Sequence, residues 1–365
     1  MWVTTTPQTM TAVLLKGYGG FDCLEVRDDV PVPQPGAGDV LVRVSAAGIN
    51  NTDINTRIGW YAPDLLAPTP IDGDAAIPTS RADVGWSGNV PTFPRILGAD
   101  ACGHIVAVGS DVEARRVGER IIVEPVFRDP ADPLALPAYF GSEVDGAFAE
   151  YTVVPARHAV RVDCPWTDAE LASIPCSYSA AENMLGRAKV AAGQIVVVTG
   201  ASGGVGSAAI QLAKRRGAHV IALAAPAKHD EVRTLGADVV LPRDSDLTTV
   251  LGQRSVDVII DVVGGSTWPQ LLAVLRRGGR YATSGAIGGH WVELDLRTLY
   301  LNDLTLFGCT VLDPDVFTNL VSYIERSEIR AAVAAVFPLR QIAAAQRLFL
   351  TKQHVGKIVL TIANR

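Results

Sequence analysis

The chemistry this chain can do is concentrated in a run of small residues, Gly200-Ala201-Ser202-Gly203-Gly204-Val205-Gly206, set between the apolar run IVVVT and the segment SAAIQLAKRRG. Strand, tight turn and helix in that order make an anion site. Residues without a Cβ let the backbone approach a pyrophosphate, and the helix start offers unpaired N–H groups and a positive dipole end. The pattern reads A-x-G-x-x-G from Ala201, one glycine short of the full dinucleotide fingerprint, and a second strand, HVIALAA, follows. A turn that only packs helix against sheet remains open as the plain alternative. Gly200 to Gly204 also spells G-x-S-x-G, the nucleophile-elbow pattern of a hydrolase built on Ser202, with Asp313 and His354 to follow as acid and base. The third glycine, Gly206, favours the dinucleotide.

An NAD site usually ends its second strand on Asp or Glu, which binds the ribose hydroxyls. Here that place is Leu223-Ala224-Ala225, followed by Lys228 and, after the strand VVLPR, by Arg243. Cations without a carboxylate suit a 2′-phosphate, so the expected cofactor is NADP(H). The alternative leaves Lys228 and Arg243 as ordinary solvated charges.

Around this unit the texture changes twice. TAVLLKG, CLEVRDD, DVLVRVSAAG, GHIVAVG and ERIIVEPV are short runs rich in Val, Ile and Leu, bounded by turn residues, and predict a β-rich, barrel-like N-terminal part. Two polar, Pro-rich stretches interrupt it, from Tyr61 to Arg95 and from Arg128 to Val144. From about Asp168 a helical segment, AELASIPCSYSAAENMLGRA, leads into apolar strands alternating with amphipathic helices, the pattern of a parallel sheet covered on both faces. The end of the chain, GKIVLTI, reads as a strand again.

At 365 residues the chain is long enough for two domains, and its 48% hydrophobic and 19% charged composition is that of a globular protein. A net charge of −6 without a run of one sign argues against nucleic acid as a partner. The five cysteines, Cys23, Cys102, Cys164, Cys176 and Cys309, form no C-x-x-C pair, so neither a disulfide framework nor a structural zinc knot is expected. The N-terminus lacks a basic n-region before Lys16, and the uncharged stretch Val190–Ala213 has the Gly-rich turn in its middle. A cytoplasmic, membrane-free protein is the expectation.

These motifs resemble the medium-chain dehydrogenase/reductase superfamily over nearly the whole chain from about Met10. The resemblance is carried by GINNTDINTRIGWY (Gly48 to Tyr61), ILGADACGHIVAVG (Ile96 to Gly109), the turn at Ala201, DVVGG at Asp261, GGRYATSGA at Gly278 and GKIVL at Gly356, all in family order. It implies an α/β protein. A GroES-like β-rich catalytic domain, split into 1–167 and 310–365, would enclose an inserted Rossmann doubly wound parallel sheet, 168–309. The cofactor would lie on Ala201, Ser202, Gly203, Gly204, Val205, Gly206, Lys228, Arg243, Gly285, Ala286 and Lys357, the last on the pyrophosphate. Dimers are common in that family.

Zinc members of the superfamily hold the catalytic metal with Cys, His and Cys from three motifs. Here those positions are Asn50, Ala99 and Cys176, with Asp100 beside the lost His, and the lobe that carries structural zinc contains no cysteine. One thiolate cannot hold the ion, so no metal is expected, and Cys176 reads as a small buried residue. The zinc-free branch, quinone oxidoreductases and enoyl reductases, delivers hydride to a quinone or an activated alkene. The expected function is therefore an NADPH-dependent, zinc-independent reductase acting on a small hydrophobic substrate with a conjugated carbonyl. Asn50 would contact the carbonyl or the nicotinamide. Tyr61, at the place of the proton donor of 2-enoyl thioester reductases, and Thr52, at the family's relay hydroxyl, are the candidate acids. Asp53 reads as an ion-pair residue and His104 as core. Trp60, Tyr61 and Trp86 would build an aromatic lid, or else part of a surface loop. Two further alternatives stand beside this: a zinc alcohol dehydrogenase with atypical ligands, and a dinucleotide-binding protein without catalysis.

Overall fold

A computed structural model describes residues 6–62, 92–129, 131–132 and 135–363. Trp86 lies outside them. Starting from the N-terminus, β1 (Thr9–Leu15) and β2 (Leu24–Pro31) form a hairpin; then come β3 (Asp39–Gly48), α1 (Asn51–Ile58), β4 (Arg95–Ile96), β5 (Cys102–Val108), β6 (Arg120–Val123), β7 (Val126–Phe127), β8 (Ala138–Tyr139), β9 (Tyr151–Pro155) and β10 (Ala159–Arg161). Alternating exposure along β9 marks a half-covered antiparallel strand. The main sheet of this part runs β10-β6-β5-β3, with β9 also on β3.

Two helices, α2 (Asp168–Leu171) and α3 (Pro175–Arg187), then lead into the parallel unit. The sequence pattern runs them together. They separate at Pro175, which takes the first helical position of α3, where its missing N–H costs nothing. The alternating elements are β11 (Ile195–Val198), α4 (Gly204–Arg215), β12 (His219–Ala224), α5 (His229–Thr234), β13 (Val239–Pro242), α6 (Leu247–Leu251), β14 (Val256–Asp261), α7 (Trp268–Val274), β15 (Leu275–Thr283), α8 (Leu296–Leu301) and β16 (Thr305–Gly308). Their order in the six-stranded parallel sheet is β13-β12-β11-β14-β15-β16. Val196, Val197 and Val198 are wholly buried, as two-sided cover requires. At the carboxyl end, Asp261 accepts hydrogen bonds from the Thr199 and Tyr281 hydroxyls, clamping β11, β14 and β15.

The chain closes with α9 (Val316–Glu325), β17 (Val333–Pro338), α10 (Ile342–Thr351) and β18 (Lys357–Thr361). The buried side of α9, Phe317 and Leu320 among others, shares one core with β11 and α4. β18 returns to the N-terminal part and pairs antiparallel with β3, Val359 opposite Gly48. That register sets Lys357 beside Asn50.

Helix α1 is held by Arg57, whose side chain is fully buried. Its guanidinium donates to Gln346 Oε1 (3.1 Å) on α10 and to the Gly19 carbonyl (2.8 Å), and lies 4.4 Å from the centroid of the Phe21 ring. Replacing it by Leu strands both acceptors, each worth about 1–3 kcal/mol when left unsatisfied in the interior. Arg57→Leu should therefore lower the urea midpoint by an amount corresponding to about 2–4 kcal/mol, measured by circular dichroism.

Candidate active site

The Gly-rich turn bridges the carboxyl end of β11 and the start of α4. Gly200 takes a left-handed backbone (φ 55°) packed against Val262 and Val263. Gly203 precedes the helix, and no side chain caps it, which leaves the first N–H groups for an anion. A Cβ on Gly206 would stand 2.2 Å from the Gly200 carbonyl oxygen, so only glycine lets the turn close. Ala201 is buried beneath it and its N–H donates to Leu223 O, while Val205 packs on the core. Gly285 and Ala286 follow β15 at the same end of the sheet; Gly285 faces Val262.

Lys228 is buried rather than solvated. Its ammonium donates to Ser202 Oγ (3.1 Å) and to the carbonyls of Lys352 and His354, joining the turn to the loop before β18. Burial and the nearby Arg243 charge lower its pKa. The Arg243 N–H donates to Ala224 O, which seats it at the end of β12. Lys228 and Arg243 thus flank the end of β12, with the Glu231 carboxylate near enough to act on Lys228.

The hydrolase arrangement is not assembled. Asp313 pairs with Arg187 (3.0 Å), Ser202 accepts from Lys228, and Nδ1 of His354 has no partner among the described residues.

A second cluster lies where β3 ends and α1 begins. Asp53 was expected in an ion pair. Instead its carboxylate accepts the backbone N–H of Asn50 (2.7 Å) and of Gly98 (3.2 Å), tying the α1 N-terminus to the loop before β5. Burial is complete and pushes its pKa up to about 7. Asp100 is wholly buried: one oxygen accepts the Cys176 N–H at the start of α3 (2.6 Å), the other accepts Asn50 Nδ2 (2.8 Å) and Lys357 Nζ (2.8 Å). A Cβ on Gly48 would sit 2.5 Å from that second oxygen, so glycine makes room for the carboxylate.

Lys357, expected on the pyrophosphate, directs its ammonium to the Asn50 and Asp100 side chains. The aliphatic stem runs against Gly204, where a Cβ would meet Cδ at 2.7 Å, and Nζ donates to Asn50 Oδ1 as well as to Asp100. Nothing in the local sequence announces this; the signal is the β18–β3 register. Cys176 is half-buried beside the same carboxylate, and burial pushes its thiol well above its usual range.

The structure brings Tyr61 and Thr52 together. Burial pushes the Tyr61 hydroxyl up to about 12, opposed by hydrogen bonds with Thr52 and Asn55, and Cys176 and Asp53 lie near enough to act on it. Next to it, Trp60 meets Tyr61 edge-on (5.5 Å between centroids) and His290 likewise (5.3 Å), so the α1 end and the loop after Ala286 touch. His104 lies half-buried on β5, away from this cluster, with its pKa lowered by burial.

Residues 36–164 match the family described as alcohol dehydrogenase GroES-like domain, and residues 204–326 that described as zinc-binding dehydrogenase. A solved structure from Sinorhizobium meliloti 1021, assigned as an alcohol dehydrogenase, is 45% identical, with 99% of this chain and 98% of that one covered and a TM-score of 0.88. The chain belongs to the medium-chain dehydrogenase/reductase superfamily. It is an oxidoreductase fold of the quinone oxidoreductase and enoyl reductase-like branch, with a dinucleotide-binding unit of the nicotinamide type. Acryloyl-coenzyme A reductase of Metallosphaera sedula is 27% identical over 96% of this chain and 100% of its own length. An NADPH-dependent alkenal/one oxidoreductase of Arabidopsis thaliana is 27% identical over 97% of this chain and 80% of its own. Against erythronolide synthase EryA2 of Saccharopolyspora erythraea, 29% identical, the chain spans only 9% of the relative's length. Among the described residues no helix is long and apolar enough to cross a membrane.

Because the turn closes only around glycine, Gly206→Ala should weaken nicotinamide dinucleotide binding by at least about tenfold in a fluorescence titration while leaving a folded protein.

Proposed function

We propose that this protein is a zinc-independent, NADPH-dependent reductase of a quinone, enone or enoyl substrate. One observation carries the reading: at the position where zinc members grip their metal, this site has an amide and a methyl, Asn50 and Ala99, and the Lys357 ammonium bonded to Asn50 and Asp100. A divalent ion does not fit beside an ammonium with only the Cys176 thiol and an Asp100 carboxylate already engaged by Lys357, Asn50 and the Cys176 N–H. Among the described residues no cluster of three His, Cys, Asp or Glu side chains could hold one.

A nicotinamide cofactor fits the other cluster. Its pyrophosphate would rest on the turn from Ala201 to Gly206, with Gly285 and Ala286 along the sheet end. Lys228 and Arg243 would meet a 2′-phosphate, Lys228 exchanging its carbonyl partners for it, which supports NADPH over NADH. When bound, the cofactor supplies hydride.

The chain's own residues then have two tasks. Hydride addition to a β-carbon places negative charge on the substrate carbonyl oxygen, and hydrogen-bond donors suffice to stabilise it. Asn50 is the donor at hand. The α-carbon then needs a proton. Tyr61, a phenol protonated at neutral pH, has one to give, and Thr52, hydrogen-bonded to it, orients the phenol and relays from beyond it. The names of the acryloyl-coenzyme A and alkenal/one relatives support a conjugated-carbonyl substrate. The Trp60 edge supports an apolar one.

The purified protein should oxidise NADPH with a 2-enone, an enoyl thioester or a quinone at least about tenfold faster, per kcat/KM, than NADH, and a chelator should leave the rate unchanged. Chelator-sensitive alcohol oxidation would overturn the proposal. Tyr61→Phe should lower kcat on enoyl acceptors by about 100-fold, the ordinary weight of a general acid, with the NADPH dissociation constant unchanged; undiminished turnover removes Tyr61 as the donor.

A further inference from the structure

The role of Lys357 is written in its hydrogen bonds. Its side chain is 3% exposed and its ammonium has two named partners, Asn50 Oδ1 and Asp100 Oδ2. An ammonium only donates, so the Asn50 oxygen must face it; a carboxylate only accepts, so the Asn50 nitrogen must face Asp100. Between them the two ions leave Asn50 a single orientation. One Nδ2 hydrogen goes to Asp100 and the second remains for a ligand. Asp100 is anchored independently by the N–H of Cys176 at the start of α3, and Gly48 gives it room. The lysine stem runs along Gly204, where the missing Cβ gives it room.

We propose that Lys357 is the resident cation of this site, a positioning residue that fixes the Asn50 amide for the substrate carbonyl and occupies the place in which zinc members hold their metal. The inference rests on the reductase reading for its kinetic part and on geometry alone for the rest. The positive charge reaches the developing oxyanion through Asn50, whose N–H is polarised by the ammonium at its oxygen.

The full chain is compared with Lys357→Met, with the charge-neutral pair Lys357→Met/Asp100→Asn, with Asn50→Ala and with Lys357→Met/Asn50→Ala. The pair is included because the single change leaves Asp100 buried without its counter-charge. NADPH affinity is read by fluorescence and kcat with a 2-enone. The expected result is an NADPH dissociation constant within about threefold of the parent throughout, a kcat loss of at least about tenfold in each single variant and in the charge-neutral pair, and no further loss when Lys357→Met and Asn50→Ala are combined. A tenfold weaker NADPH with kcat intact would place Lys357 on the pyrophosphate and overturn the proposal, as would losses that multiply.

A second arm needs no turnover. Asn50→Cys/Ala99→His completes a Cys, His, Cys set with Cys176. With Lys357 present it should retain less than about 0.1 zinc per chain, and with Lys357→Met added about one, by elemental analysis after dialysis. Stoichiometric zinc with Lys357 in place overturns the inference. A parent protein inert toward every acceptor counts against the reductase reading and leaves this arm to decide the role of Lys357.

Discussion

An ammonium taken out of water demands a partner, and that demand organises the centre of this protein. Lys357 meets it with Asp100, and Asp100 in turn engages the amide of Asn50 and the first turn of α3. An unpaired charge in such a place costs several kcal/mol, so these groups come together as a set or not at all. The set draws on the end of β3, the loop before β5, the start of α3 and the start of β18. Those segments are scattered over most of the chain, and they meet only once both the N-terminal sheet and its junction with the parallel unit exist.

The parallel sheet imposes a different constraint. Its strands are apolar on both sides, so polar backbone ends and functional groups are pushed to the carboxyl edge. There Asp261 clamps three strands, the Gly-rich turn opens toward α4, and Lys228 reaches across to the carbonyls that precede β18. Turn and cation cluster are thus neighbours: the Lys357 stem touches Gly204 while its head touches Asn50. One side chain spans the distance from the Gly-rich turn to the start of α1.

Several features were legible in the residues because they rest on local geometry. The strand–turn–helix of Ala201 to Gly206 has a spacing that only a helix start on a parallel sheet satisfies, and the apolar runs announce two-sided burial. The absence of a carboxylate after HVIALAA is likewise a statement about one strand end. Tyr61 and Thr52, nine residues apart across a short helix, were within reach of a sequence argument. Asp53 was misread, because a carboxylate that caps a helix and one that pairs with a cation look alike until the neighbours are known.

Sequence alone thus determined the dinucleotide turn, the alternation that builds the sheet, and the presence of Asn and Ala at positions 50 and 99, where the family resemblance sets metal ligands. Only the tertiary structure decided what fills that place. The answer depends on the register of β18 against β3, a pairing between residues some three hundred positions apart, and register is set by which faces the assembled core buries. The GKIVL motif locates a strand; the direction in which its lysine points is a property of the sheet it joins.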